Sequence, residues 1–127
     1  MKMKHLHLTV PNPLETCKFL EKYFGLQGDV NPYTGESIKG GKESKSFACL
    51  FDDDGLVLIL TNFGARGEVT YPDDFHIGFI QESEARVNEL NRRLKDAGYD
   101  VPSPSKQHGA WTFYFEAPGG FTIEVLS

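Results

Sequence analysis

Two stretches of the chain read alike, and that likeness constrains the fold more than any other feature. Gly55-Leu56-Val57-Leu58-Ile59-Leu60 and Gly120-Phe121-Thr122-Ile123-Glu124-Val125-Leu126 are both apolar strands entered from a glycine. Superposed on those glycines, the second has Glu124 where the first has Ile59. Side chains alternate across a strand, so Phe121, Ile123 and Val125 form one face and Thr122, Glu124 and Leu126 the other. A carboxylate therefore stands at a position where a wholly apolar strand is the expectation.

The likeness extends upstream. Residues 4–10 alternate, with Leu6, Leu8 and Val10 on one face and His5, His7 and Thr9 on the other, the pattern of a half-buried strand. Asn12, Pro13 and Glu15 then supply a cap, a first-turn proline and a capping-box partner for a helix. Its apolar positions are Leu14, Cys17, Leu20, Tyr23 and Phe24, and Gly25 is its left-handed stop. At mid-chain the plan recurs. Residues 75–80 alternate, with His76, Gly78 and Ile80 on one face, and Ser83 caps a helix with the stripe Val87, Leu90, Leu94 and Ala97. Gly98 stops it.

Each half thus reads strand, helix, loop, strand, tight glycine turn, strand. His5 answers to His76, Gly25 to Gly98, Phe51 to Phe115 and Gly55 to Gly120. The expectation is an α+β fold of two repeated modules, residues 1–64 and 70–127, within a single domain of 127 residues. If the two sheets curl about a pseudo-twofold axis, His5, His76, Glu124 and Ile59 become four related corners of one concavity. Three of the four can bind metal.

Other features exclude whole classes. A formal net charge of −5, with no basic cluster, argues against a nucleic-acid partner. No run of roughly 18 apolar residues suggests a membrane span, and the basic start Met1-Lys2-Met3-Lys4 is not followed by the apolar core of a signal peptide. A cytoplasmic protein is expected, with Cys17 and Cys49 as reduced core thiols. Asp52-Asp53-Asp54 lacks the spacing and closing glutamate of a calcium loop and reads as a solvated turn. Residues 28–46 are polar and rich in Gly, Ser and Lys, with a short strand at the start; they read as a surface excursion, with a cover over a site as the sharper alternative. Residues 102–109 read as loop, with Lys106, Gln107 and His108 near its end.

His5-Leu6-His7-Leu8-Thr9-Val10 before a capped helix, Phe75-His76-Ile77-Gly78-Phe79 at mid-chain, and Phe115-Glu116-Ala117-Pro118-Gly119-Gly120-Phe121-Thr122-Ile123-Glu124 at the end resemble the vicinal oxygen chelate superfamily. That superfamily holds glyoxalase I, extradiol dioxygenases, fosfomycin-resistance thiol transferases and bleomycin-resistance proteins. The resemblance covers essentially the whole chain. It implies two βαβββ modules forming a curled mixed sheet around a central cavity, and a metal-dependent enzyme acting on a small substrate that chelates the ion through neighbouring oxygens. By motif it implies His5, His76 and Glu124 as ligands of one divalent metal ion: iron, manganese, zinc or nickel. It also implies a homodimer. Glyoxalase I of the four-ligand kind has a carboxylate or amide at the corner that is Ile59 here, so three-ligand members are the nearer match.

Two imidazoles and a carboxylate suit such ions and leave coordination positions for substrate oxygens. His7 and Tyr114 share the face of the ligands by parity and are candidate proton-transfer or substrate-binding groups beside Glu124. The competing reading is a metal-free, bleomycin-resistance-like protein that binds an aromatic or cationic drug. The negative charge and 13% aromatic content are compatible with it.

Overall fold

The computed structural model describes residues 1–29, 47–62 and 69–127. Its order is β1 (His5–Thr9), α1 (Pro13–Phe24), β2 (Gln27–Asp29), β3 (Phe47–Phe51), β4 (Val57–Thr61), β5 (His76–Ile80), α2 (Glu84–Asp96), β6 (Ser105–Gln107), β7 (Ala110–Glu116) and β8 (Thr122–Leu126). These form two βαβββ modules. Each contributes a four-stranded mixed sheet, ordered β1-β4-β3-β2 in the first and β5-β8-β7-β6 in the second. Most of the excursion expected over residues 28–46 lies outside the described residues, although the short strand at its start is β2.

Two compact units result. One comprises Met1–Thr70 with Pro118–Gly120, the other Tyr71–Ala117 with Phe121–Ser127. In the first, the Asn12 side chain accepts the Glu15 amide at 3.2 Å, satisfying one of the amides that a helix start leaves without a partner. Gly25 ends the helix at φ 68°, a left-handed conformation that costs a residue with a Cβ about 1–2 kcal/mol. Cys17 and Leu20 are fully buried, packed into a core with Leu8, Val10, Leu50, Leu58 and Leu60, the apolar faces of α1 and its sheet. Thr16 is buried too, its hydroxyl donating to the Pro118 carbonyl at 3.0 Å.

The aspartate turn is built around one side chain. Asp52 Oδ1 accepts the amides of Asp54 at 2.9 Å and Leu56 at 2.8 Å, and Gly55 follows at φ 82°. The carboxylate is engaged in shaping the turn, as expected of a solvated hairpin corner.

In the second unit, Ser83 accepts the Arg86 amide at 3.3 Å and α2 buries Val87, Leu90 and Leu94. Ala97, placed on the apolar stripe by periodicity, is instead exposed as the C-cap. Asn91 takes the buried place, its amide donating to the Pro102 carbonyl at 2.7 Å. A polar group is tolerated there because its bond offsets the loss of water. Trp111 ties the other side of α2 to the sheet, with Nε1 donating to Asn88 Oδ1 at 2.8 Å.

Registers make the internal repeat explicit. β1 pairs with β4 in parallel, His5 opposite Val57 and His7 opposite Ile59. β5 pairs with β8 likewise, His76 opposite Thr122 and Gly78 opposite Glu124. His5 is therefore equivalent to His76, His7 to Gly78, and Ile59 to Glu124. One pairing of landmarks shifts by a residue: Phe51 lies opposite Val57 and Glu116 opposite Thr122, so Phe51 corresponds to Glu116 and Leu50 to Phe115. The aromatic match had crossed from one face of the strand to the other. The loop expected over residues 102–109 also contains β6, an exposed edge strand paired with β7.

Candidate functional site

Cross-strand partners project from the same face of a sheet, and in the second module that rule gathers the chemistry. Tyr114 and Gly78 both lie opposite Glu124, Thr122 lies opposite His76, and Thr112 is one pleat along from Tyr114. The other face carries Phe113, Phe115, Ile123 and Val125, all buried. The sheet is thus apolar on one side and polar on the other, and Glu124 stands among the polar set with its side chain only 14% exposed.

The two oxygens of that carboxylate have different surroundings. Oε1 accepts the Tyr114 hydroxyl at 2.7 Å and faces the Thr112 hydroxyl at 3.0 Å. Oε2 faces His76 Nε2 at 3.5 Å. On the far side of the imidazole, Nδ1 lies 3.0 Å from the Asp74 carbonyl oxygen. A carbonyl can only accept, so that contact places a proton on Nδ1, and Nε2 faces Oε2 either as the donor of an imidazolium or, in the neutral ring, with its lone pair. Two acceptors facing each other repel unless a proton or a cation stands between them. This is also how metal-binding histidines are commonly oriented, by a backbone carbonyl on the other nitrogen.

Tyr114 completes the arrangement. Its ring meets His76 edge-on, centroids 5.4 Å apart at 82°. Its hydrogen bond to Glu124, and then burial and the negative charge of Glu124, hold its phenol above the ordinary value. It is a donor, and its proton is directed at Glu124 rather than outward to a substrate.

Gly78 matters by what it lacks. A Cβ there would stand 3.7 Å from Glu124 Oε2, on the flank left open by the glycine. In the first module the equivalent position is His7, whose Nε2 lies 2.7 Å from the Thr61 hydroxyl. His5 is exposed on the same face of that sheet, and Ile59 fills the Glu124 position. An aliphatic side chain there has no donor for a metal.

The donors of the second module fit a divalent ion. Two ligand atoms each about 2.1 Å from a common cation stand roughly 3.0–3.4 Å apart, close to the separation of His76 Nε2 and Glu124 Oε2. The glycine flank and the orientation of the imidazole by Asp74 agree with that use. Among the described residues, no three His, Cys, Asp or Glu side chains form a group able to hold a metal. The sequence-predicted residues therefore divide: the structure brings His76, Tyr114 and Glu124 together in the second unit, while His5 and His7 belong to the first.

Sequence reasoning had not singled out Thr112, Gly78 or the Asp74 carbonyl. A threonine sharing parity with Tyr114 in a largely aromatic strand, and a glycine inside a strand, were the available signals for the first two. A backbone carbonyl carries none. Beside this cluster lies a cavity of about 500 Å³ lined by Asp73, Asp74, His76, Tyr114, Phe115 and Thr122.

A module with this topology and with a histidine and glutamate on its polar face defines a protein of the paired βαβββ class. The chain belongs to the Glyoxalase/Bleomycin resistance protein/Dioxygenase superfamily, whose family model matches residues 2–125. It is 46% identical to a possible glyoxalase from Bacillus cereus, covering 100% of this chain and 99% of that one with a TM-score of 0.81. The oxidase ChaP-H2 shares the fold at 20% identity, covering 100% of this chain and 93% of the other, with a TM-score of 0.73. A lactoylglutathione lyase from Agrobacterium tumefaciens does so at 18% identity, 98% and 92% coverage and a TM-score of 0.68. No curated protein matches.

Proposed function

We propose that this chain is a metal-dependent enzyme of the superfamily, acting on a small substrate that chelates through neighbouring oxygens. The observation that carries the reading is the pair His76 Nε2 and Glu124 Oε2, 3.5 Å apart as two ligands of one cation stand, with the imidazole oriented from behind by Asp74. His76 and Glu124 would hold iron, manganese, zinc or nickel, with His5 as third ligand from a first module, of this chain or of a second copy in a homodimer. Bound there, such an ion supplies Lewis acidity toward a carbonyl or a developing alkoxide or enolate.

The protein's own groups have separable tasks. Glu124 supplies charge and, through Oε2, a base for a substrate proton. Tyr114 restrains that carboxylate and, beside the cavity, offers an aromatic wall to the substrate. His7 is the acid or base proposed from the first module, with Thr61 orienting its ring. The similarity to a possible glyoxalase supports the family of reactions, whereas Ile59 speaks against a four-ligand centre.

No helix among the described residues is long and apolar enough to cross a membrane. The buried Cys17 and Cys49 suit a reducing compartment, which supports a cytoplasmic location.

Protein purified without chelator tests the reading. About one ion per chain is expected, lost in Glu124→Ala with the fold intact by circular dichroism. Failure to bind iron, manganese, zinc or nickel on reconstitution would overturn it. The cavity favours one further reading: with Asp73 and Asp74 at its margin and the Tyr114 ring in its wall, it suits a cationic aromatic molecule held without metal.

A further inference from the structure

Thr112 is completely buried, yet its hydroxyl has two acceptors within reach: Glu124 Oε1 at 3.0 Å and the Val125 carbonyl at 2.9 Å. It owns one proton. Given to the carbonyl, that proton would leave a hydroxyl lone pair facing an anionic oxygen. Given to Glu124, it makes the stronger, charge-assisted bond. Tyr114 donates to the same oxygen from the other side at 2.7 Å. Oε1 has two lone-pair directions, so these two donors occupy it. Among the described residues no other donor reaches Oε2, which is left to face His76.

We infer that Thr112 is a positioning residue: with Tyr114 it saturates Glu124 Oε1, so that the carboxylate acts through Oε2 alone. The register places it well for this. Thr112 lies opposite Leu126 and Tyr114 opposite Glu124, so the two hydroxyls come from successive same-face positions of β7, and the short branched threonine reaches the carboxylate diagonally. Glu124 then engages a cation or substrate through one oxygen, and a swing to two-oxygen coordination must break both bonds. The first module has Phe47 at the position of Thr112 and Cys49 at that of Tyr114, so neither donor recurs beside Ile59. The two donors accompany the carboxylate, which is where they have a task.

The part that concerns a cation rests on the metal reading above; the part that concerns the carboxylate does not. Thr112→Val keeps the shape and removes the donor, Thr112→Ser keeps the donor, and Tyr114→Phe removes the other one. Cobalt(II) titrated into each full-length protein is expected to bind about 10-fold more weakly to Thr112→Val, with an altered visible absorption band. Thr112→Ser should restore both affinity and band. Affinity and spectrum unchanged in Thr112→Val would overturn the inference.

Crystals of metal-free Thr112→Val and Tyr114→Phe decide the carboxylate part by themselves. The Glu124 carboxylate should turn in each, whereas an unmoved carboxylate in both would overturn the positioning role. Should Thr112→Val fail to fold, Thr112→Ala removes the same donor and carries the same comparison. A wild-type protein that takes up no cobalt would sink the metal reading, and the crystals would still judge Thr112.

Discussion

Cys17 is fully enclosed, and burial together with the nearby charge and hydrogen-bond acceptance of Glu21 pushes its thiol from 9.0 up to about 12. The folded chain thus resists an ionisation that the unfolded chain undergoes freely. Stability from this source is intact below pH 9 and is lost as pH rises from there toward 12, by up to about 1.4 kcal/mol per unit. Urea unfolding at pH 7.5 and pH 10.5 should therefore show a smaller alkaline loss in Cys17→Ala than in the parent. Equal losses would deny the thiol this role. Its burial was legible in the helical spacing, whereas that of Asn91 was not. A polar residue is assigned to solvent until a partner is known, and the Pro102 carbonyl is a backbone atom without a sequence signature. Asn91→Ala, which strands that carbonyl, should cost roughly 1–3 kcal/mol in thermal or chemical unfolding.

At the scale of elements, alternation and caps were enough to reveal most strands and both helices, because each buries one face and displays the other. β6 escaped for the same reason. Ser105, Lys106 and Gln107 are all exposed, so the strand has no apolar face to read and is held by backbone pairing to β7. The equivalence of Ile59 with Glu124 was legible because glycines begin both stretches, Gly55 at φ 82° and Gly120 at φ 79°. Each glycine is there for its left-handed backbone, so Gly55→Ala and Gly120→Ala should each destabilise by about 1–2 kcal/mol. Gly78 is a different case, its backbone lying outside the left-handed region and its added Cβ meeting only ordinary contacts. Gly78→Ala should leave the melting temperature within a few degrees of the parent while weakening metal binding, since the methyl fills the flank of Oε2. Unchanged metal affinity in a folded Gly78→Ala protein would show that this flank is not used.

The whole molecule poses the question that residue patterns answer least. Alternation specifies the two faces of a sheet, but pairing at a sheet edge is made by backbone groups common to every sequence, and β1 and β5 each stand at an edge. The three proposed ligands were therefore legible as residue types, while the source of His5 relative to His76 and Glu124 was not. Two defective variants separate the possibilities. His5→Ala retains His76 and Glu124, Glu124→Ala retains His5, and each alone should bind no metal. In a homodimer whose sites are completed across copies, a mixed pair rebuilds one of its two sites. Random mixing makes half the dimers mixed, so co-refolded variants should carry about a quarter of the parental metal per chain. We expect that quarter, measured by metal analysis after gel filtration. A content near zero, with dimers still forming, would instead assign all three ligands to a single chain.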